Sequence, residues 1–473
     1  MKPALFAAVL CAALAASAPA AAESARSAAL TVSSGPVTLS LSDSVARALD
    51  AATTVLKARI GDRLAAEQLL QGYAQFLPNL DLAGNYTRVH GINYFTSGPP
   101  ALVDSRNRGY GFQVSSVLNL FSGYSDYGSY KAALARRKAA GLTLERARQE
   151  IVFDVAQAYL QVQLDDRVTA IADENAKASR ERQLLLEQQA QVGARSLADL
   201  YRQQAQTSSD EALLIQARNK RRDDLILLLR RLRLDLGREY ALPEVALDSA
   251  AAGGPYDDEG TLVAAALGAR PDLRAAWNQT EAAHGAATAA RSGFFPRFDL
   301  GWSMVSTSRL LDSDVVNGTD VLATLPAQRS IDSQLANQID YTVGVTATWG
   351  IFDRLITRAA MKQADAASAD AQLDYEDTRL QVEGDVKQAF GDFHAAELTL
   401  TAAREGLKAA RESYAAVKER YAVSASSLLD LLTAQTALLQ AESALAQAEV
   451  GFYLQGRQME FALGRMPVVA PGS

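Results

Sequence analysis

Tyr110-Gly-Phe-Gln-Val114 and Tyr341-Thr-Val-Gly-Val345 are two versions of one short pattern, and they stand 231 residues apart. The second belongs to Ile339-Asp-Tyr-Thr-Val-Gly-Val-Thr-Ala-Thr-Trp-Gly-Ile351, where every odd position is apolar and every even one is polar or glycine. Side chains of a strand point to alternate faces, so this reads as a strand with one wet and one apolar face. The spacing recurs downstream without a gap. Val155-Ala-Gln-Ala-Tyr159 matches Val386-Lys-Gln-Ala-Phe390, and Ser196-Leu-Ala-Asp-Leu200 matches Ser427-Leu-Leu-Asp-Leu431, again 231 residues later. Upstream, Leu77-Pro78-Asn-Leu-Asp-Leu82 matches Phe295-Pro296-Arg-Phe-Asp-Leu300 at a spacing of 218. The chain therefore reads as two repeats, 23–238 and 261–465, joined by a linker at 239–260 and followed by a short tail at 466–473.

Each repeat predicts two strands, about 79–95 and 107–121 in the first and about 297–311 and 338–352 in the second. Between and after them, no proline occurs from Ala101 to Leu242 or from Ala327 to Met466, and both stretches are dense in strong helix formers. A long helix is expected over about 122–192 with Ser122 as its N-cap, and its counterpart over about 353–423 starting at Asp353. About 70 residues at 1.5 Å each make a rod of roughly 105 Å, which needs neighbours of equal length. Two shorter helices per repeat, Ser42 to Phe76 and Leu197 to Gly237, then Thr261 to Phe294 and Leu428 to Gly464, stack to about that length. The fold class is mainly α with a membrane β-barrel.

The 473 residues are 48% hydrophobic and 21% charged, a composition that folds rather than stays disordered. The formal charge of −7 supplies no basic field, so nucleic acid is not an expected partner. Residues 1–22 read as a cleavable secretory signal: Lys2, an apolar stretch from Ala4 to Ala16, and Ala20-Ala21-Ala22 before Glu23. The only cysteine, Cys11, lies inside that signal behind Ala8-Val9-Leu10, a poor lipoprotein context, so the mature chain is expected to be cysteine-free and not lipidated. No later stretch has the roughly 18 consecutive apolar residues of a membrane helix. His90, His284 and His394 share no metal-ligand spacing, and no nucleotide loop or nucleophile motif appears. No cofactor, metal or catalysis is expected.

Four strands cannot close a barrel, and an open edge in lipid leaves backbone groups unpaired, so a membrane-spanning form must be an oligomer of two, three or four copies. Three copies give twelve strands about 25 Å across, over a ring of twelve helices about 38 Å across. Tyr86, Tyr110, Trp302 and Trp349, with Tyr94, are candidate membrane-interface aromatics. The bland alternative is a non-channel periplasmic coiled-coil structural or adhesion protein whose soluble hairpins cap the rods.

In this order the sequence resembles the TolC-like outer-membrane efflux proteins. The resemblance runs through Leu39-Ser-Leu-Ser-Asp-Ser-Val-Ala-Arg-Ala-Leu49, both proline-to-strand junctions, Leu120-Phe-Ser-Gly123, Ala269-Arg-Pro-Asp-Leu-Arg-Ala275 and two Ser-x-x-Asp turns. It implies a homotrimeric channel-tunnel: a barrel in outer-membrane lipid, helices in the periplasm, and docking to a periplasmic adaptor and an inner-membrane transporter. It also implies an entrance gate at the lower turns, 192–199 and 423–430, which are the tip turns for adaptor docking through Gly193, Ser196, Ser424 and Ser427. Tyr421 and Asp430 match the family's gate Tyr and first Asp, and Asp199 an acidic partner expected to bond Tyr421. Ser424, Ser426 and Thr433 stand where the family commonly has Gly, Arg and a second Asp, so the usual Arg link is missing and Arg195 is the candidate substitute. From the residues alone, Ser196 and Ser427 read as N-caps in capping-box context.

Overall fold

The computed structural model describes residues 37–95, 100–245, 256, 258–322 and 327–466. The 1–22 signal with Cys11, much of the linker and residues 467–473 lie outside the described residues. In chain order the main elements are α1 (Leu41–Ala51), α2 (Thr53–Ala74), β1 (Asp81–Phe95), β2 (Ala101–Phe121), α3 (Ser125–Gln191) and α4 (Leu197–Arg231). The second half follows with α5 (Glu259–Ala269), α6 (Pro271–Ala290), β3 (Arg297–Val316), β4 (Ile339–Thr348), α7 (Ile356–Ala422) and α8 (Leu428–Ala462).

The two long helices, α3 and α7, each have 67 residues, about 100 Å at 1.5 Å per residue. Both start three residues later than expected, and for the same reason. Gly123 and Tyr124 at one junction, and Arg354 and Leu355 at the other, hold φ between 58° and 71°. This left-handed pair turns the chain out of the sheet before the helix can begin. Ser122 and Asp353 still cap across the turn: Ser122 Oγ accepts from Asp126 N at 3.1 Å and Asp353 Oδ2 from Thr357 N at 2.7 Å.

Each expected 35-residue helix is two helices. The first breaks at Ala52 (φ −64°, ψ 134°) and the second at Arg270 (φ −60°, ψ 125°), 218 positions apart. At Arg270 the cause is local, because Pro271 excludes its predecessor from the helical region and then serves as the first helical residue. Ala52 has no such neighbour. It is buried at 4% exposure within the apolar cluster of α1, α2 and α3, so packing sets the kink there.

Helices α2 and α6 pack along the upper part of α3, and α4 and α8 along its lower part; α7 packs on α5, α6 and α8. The rods thus form one layer with α2 and α4 on one flank and α7 on the other. Two apolar clusters fill its middle. One gathers Val55, Ile151, Val155, Tyr159 and Leu228 with α1, and the other Leu273, Val382, Val386, Phe393 and Val450 with α5. Fully buried side chains of this size contribute about 1.5–3 kcal/mol each before chain entropy is counted. Tyr159 donates its hydroxyl to the carbonyls of Leu39 and Pro243, tying the short parallel bridge Val37–Thr38 with Tyr240–Ala241 to α3.

All four long strands form one antiparallel sheet in the order β1-β2-β3-β4. β2 starts at Ala101 and β3 runs to Val316, so both are longer than their polar upper sequences suggested. β4 is shorter and ends at Thr348. Above Ser306, where β4 has no further partner residues, the 327–338 segment takes its place: Gln334 accepts from Arg309 N and Gln328 bonds both backbone groups of Leu311.

Candidate functional site

Two regions carry features beyond packing: the faces of the sheet, and the helix turns at the far end of the rods. In the sheet, cross-strand register puts Tyr86 opposite Tyr110, Val114 opposite Leu82 and Met304, and Trp302 opposite Val343. Alternation then assigns Leu82, Tyr86, Tyr110, Phe112, Val114, Leu118, Leu300, Trp302, Met304, Tyr341, Val343 and Val345 to one face. The opposite face holds Asn85, Thr87, Gln113, Ser115, Asp299, Ser303, Thr342 and Thr346. One face is thus a continuous apolar belt and the other is polar. From Phe121 to Tyr110 the belt runs about 37 Å along the strand, or about 26 Å of height at a 45° tilt.

Tyr86 and Tyr110 sit at its upper end with ring centroids 5.0 Å apart. Trp349 lies just below the end of β4, while Trp302 lies within the belt, level with Ser116 and Val343, and not at its rim. The lower rim is built instead by Phe121, Tyr124, Phe295 and Phe298, in edge-to-face and tilted ring contacts at the sheet-to-helix junction. Phe295 and Phe298 flank the Pro296 junction and Phe121 and Tyr124 flank the strand-to-helix turn, the signals that could have found them.

At the other end, each long helix reverses into its shorter partner. In the first turn Gly193 takes φ 71° and Ala194 N donates to Gln189 O at 2.8 Å. The second repeats this geometry with Ser424 at φ 56° and Ala425 N on Arg420 O at 2.8 Å. A left-handed residue is needed to close either helix, and only the first turn uses glycine for it. Both serines cap as expected but differently. Ser427 and Asp430 form a reciprocal capping box, with Ser427 Oγ accepting from Asp430 N at 3.1 Å and Asp430 Oδ2 accepting from Ser427 N at 3.0 Å. Ser196 instead accepts from Ala198 N at 3.1 Å, which leaves the Asp199 carboxylate free of the cap. Hydrogen bonds from the Ser427 hydroxyl and N–H, and from the Ser426 hydroxyl, hold the Asp430 carboxyl below the usual carboxylate range.

The expected Tyr421 to Asp199 bond does not form within one chain. Asp199 lies 3.9 Å from Arg202, and Tyr421 is covered by the Arg195 guanidinium, 4.9 Å from its ring centroid. Tyr421 rests on a small apolar cluster of Leu186, Leu428 and Leu432 with Leu200, which pins the two turns together. Thr433 donates to Leu429 O inside its own helix. One polar clamp went unread in the sequence: Gln435 of α8 joins both Asn175 and Arg182 of α3. The only hint was a glutamine on an otherwise apolar helix face.

The histidines are apart, His90 against Asp104, His284 against Ser368 and His394 against Phe390. Among the described residues no group of three or more His, Cys, Asp or Glu is placed to hold a metal, and no helix is long and apolar enough to cross a membrane.

A half-apolar sheet on paired 67-residue rods has counterparts among known proteins. The model of the outer membrane efflux protein family matches residues 45–232 and 262–465. The chain belongs to the outer membrane efflux protein family. Within that family, the solvent efflux pump outer membrane protein SrpC of Pseudomonas putida is 28% identical over 313 residues, 63% of this chain and 62% of SrpC. The probable outer membrane lipoprotein SilC of Salmonella typhimurium is 27% identical over 272 residues, 56% of each chain. The match thus spans less than two thirds of these relatives. Among solved structures, VceC from Vibrio cholerae aligns with a TM-score of 0.74 at 17% identity, covering 90% of this chain and 96% of VceC. The outer-membrane channel OprN aligns at 0.72 and 22% identity, covering 90% and 89%. At these identities the structures show a shared fold.

Proposed function

We propose that this chain is the outer-membrane exit duct of a tripartite export system: a homotrimer with a twelve-stranded barrel in outer-membrane lipid and a twelve-helix periplasmic tunnel. The observation that carries the proposal is the sheet. It has an apolar belt about as tall as a membrane core, yet the outer edges of β1 and β4 have no long partner strand among the described residues. Lipid does not tolerate unpaired backbone, so β1 of one copy pairs with β4 of the next until the ring closes. The helical layer has matching loose flanks. Ile60, Leu64 and Leu70 on α2, Leu213 and Ile215 on α4, and Leu373, Leu380 and Leu398 on α7 are all exposed, and closing the ring gives them neighbours.

The tip turns then meet near the axis. Three copies of Asp430, ionised and fixed by their capping boxes, ring the entrance and favour cations, with Asp199 adding charge and Arg195 over Tyr421 bracing the turns. Gly193, Ser196, Ser424 and Ser427 shape the surface that a periplasmic adaptor grips, and an inner-membrane transporter supplies the energy. The names of SrpC and of the toluene efflux pump outer membrane protein TtgI favour small apolar solutes over protein as the cargo. Membrane fractionation with gel mobility before and after heating tests the duct. A heat-dissociable trimer in the outer membrane is expected; a soluble monomer or dimer contradicts it. In planar bilayers Asp430→Ala should lower cation selectivity, and unchanged selectivity would remove Asp430 from the gate.

A further inference from the structure

Directly above the Tyr86–Tyr110 pair, on the same face as the apolar belt, the sheet becomes basic. Arg88 is opposite Arg108 in the β1–β2 register, and His90 is opposite Arg106. Like charges set opposite each other across a strand pair destabilise it unless an anion lies between them. Two acids are within the patch, and both are engaged. A register shift between Arg106 and Asn107 leaves Asp312 as an extra residue on β3, where it pairs with Arg108 at 2.8 Å. Asp104 binds His90 Nε2 at 2.8 Å. The Arg88 and Arg106 side chains are exposed and have no hydrogen bond or ion pair among the described residues. Two free guanidinium groups thus stand on the outward face, one and two residue pairs beyond the tyrosines that end the belt.

We infer that Arg88 and Arg106 bind the phosphate groups of an anionic lipid in the outer leaflet. The placement fits a lipid rather than a soluble anion. The acyl chains of a lipid lie along Tyr110, Phe112 and Val114 on the belt, and its phosphates then stand at the height of the arginines. Guanidinium groups recognise phosphate oxygens through paired charge-assisted hydrogen bonds, and a basic residue at a charged membrane surface adds measurably to lipid attraction. The inference rests on the barrel reading proposed above, which turns this face toward lipid.

The test uses the full-length chain purified in a neutral detergent, with native mass spectrometry counting diphosphoryl lipid A retained against added phosphatidylcholine. Wild type should retain lipid A preferentially, and Arg88→Gln with Arg106→Gln together should weaken retention roughly thirtyfold, or about 2 kcal/mol at 1.4 kcal/mol per tenfold. Arg297→Gln, on the same sheet but at its lower end, should leave retention unchanged. The inference is overturned if the double variant retains lipid A as wild type does, or if inorganic phosphate at equal concentration displaces it, which would mark an adventitious ion only. It is also overturned if the double variant loses only trimer stability, since the arginines then pair with an acid of the neighbouring copy. Fractionation separates the two levels: a chain absent from the outer membrane defeats the barrel, whereas a membrane-embedded trimer indifferent to both arginines defeats the lipid site alone.

Discussion

Gly128 on α3 and Gly285 on α6 press backbone against backbone where the first repeat meets the second. A Cβ built on Gly128 would lie 2.6 Å from Ala289 N and 2.7 Å from Gly285 O; one built on Gly285 would lie 2.7 Å from Ala132 N and 2.9 Å from Gly128 O. Ordinary contact needs about 3.4 Å or more, so Gly128→Ala drives the helices apart by roughly 0.7–0.8 Å against backbone atoms that have no rotamer to yield. Overpacking of this kind costs about 1–3 kcal/mol. Helix propensity acts the other way, favouring Ala over Gly by about 1 kcal/mol. Gly141 on the same helix supplies the control, because its added Cβ meets nothing closer than 3.6 Å, and that is the tip of the Arg137 side chain. Gly141→Ala should therefore stabilise by up to about 1 kcal/mol while Gly128→Ala and Gly285→Ala gain nothing or destabilise by up to about 2 kcal/mol, the net of both effects. The double substitution should cost less than the sum of the singles, because a separation made once relieves both clashes. Denaturation of the detergent-solubilised chain, followed by near-ultraviolet circular dichroism, measures the midpoints of the three single variants and the double. If Gly128→Ala and Gly285→Ala rise with Gly141→Ala, the close approach is wrong.

Three more outcomes follow from named contacts. Arg270 is 3% exposed and bridges Asp272 and Asp385 beside the kink; Asp272 keeps Arg146 at 3.7 Å and Asp385 is 38% exposed, so Arg270→Ala should cost less than the roughly 3–5 kcal/mol of breaking a fully buried pair, seen as a clear fall in the same midpoint. Asp272 is held below its ordinary pKa, against the cost of burial, by the hydrogen bond from Arg270 and the nearby Arg146 charge. A depressed carboxylate stabilises fully above its unfolded value near 3.9 and loses that contribution as pH falls through its lower folded value, so acid unfolding below about pH 4 should be blunted in Asp272→Asn, as pH titration of the midpoint would record. Ser424 bears a side chain at φ 56° where Gly193 does not, so Ser424→Gly should slow amide exchange around the second turn by a few-fold, worth about 0.5–1 kcal/mol, and faster exchange would contradict the strain.

The parts of this fold that follow from local chemistry were legible in the sequence, and those that follow from contact were not. Alternation from Ile339 to Thr348 gave β4, and proline-free runs gave α3 and α7 to within a few residues, because each is a property of the segment itself. Pro271 made the kink at Arg270 readable; Ala52 kinks without any such residue. The strands extend through Asp104, Arg106 and Asp314 despite their polarity, because beyond the apolar belt a hairpin is held by its ladder and gains nothing from an apolar face. At the tip, Ser196, Ser427 and Asp430 announced caps, yet the reciprocal bond in one turn and its absence in the other depended on geometry. Arg195 was identifiable as a candidate, but its place over the Tyr421 ring was not, and neither was the Gly128–Gly285 contact between residues 157 positions apart.

The central claim is that the four-stranded sheet is one third of a closed barrel, with β1 of each copy paired to β4 of the next. The signal peptide reading leaves the mature chain free of cysteine, so paired substitutions on the polar face report that seam directly: Thr342→Cys combined in turn with Ala83→Cys, Asn85→Cys and Thr87→Cys, oxidised in intact outer membranes. The account predicts a covalent trimer ladder for at least one register, resistant to heating and collapsed by reductant, while Thr342→Cys with Gln113→Cys on the interior strand β2 gives none. A chain embedded in the outer membrane that forms no intermolecular disulfide in any of the three registers would contradict it.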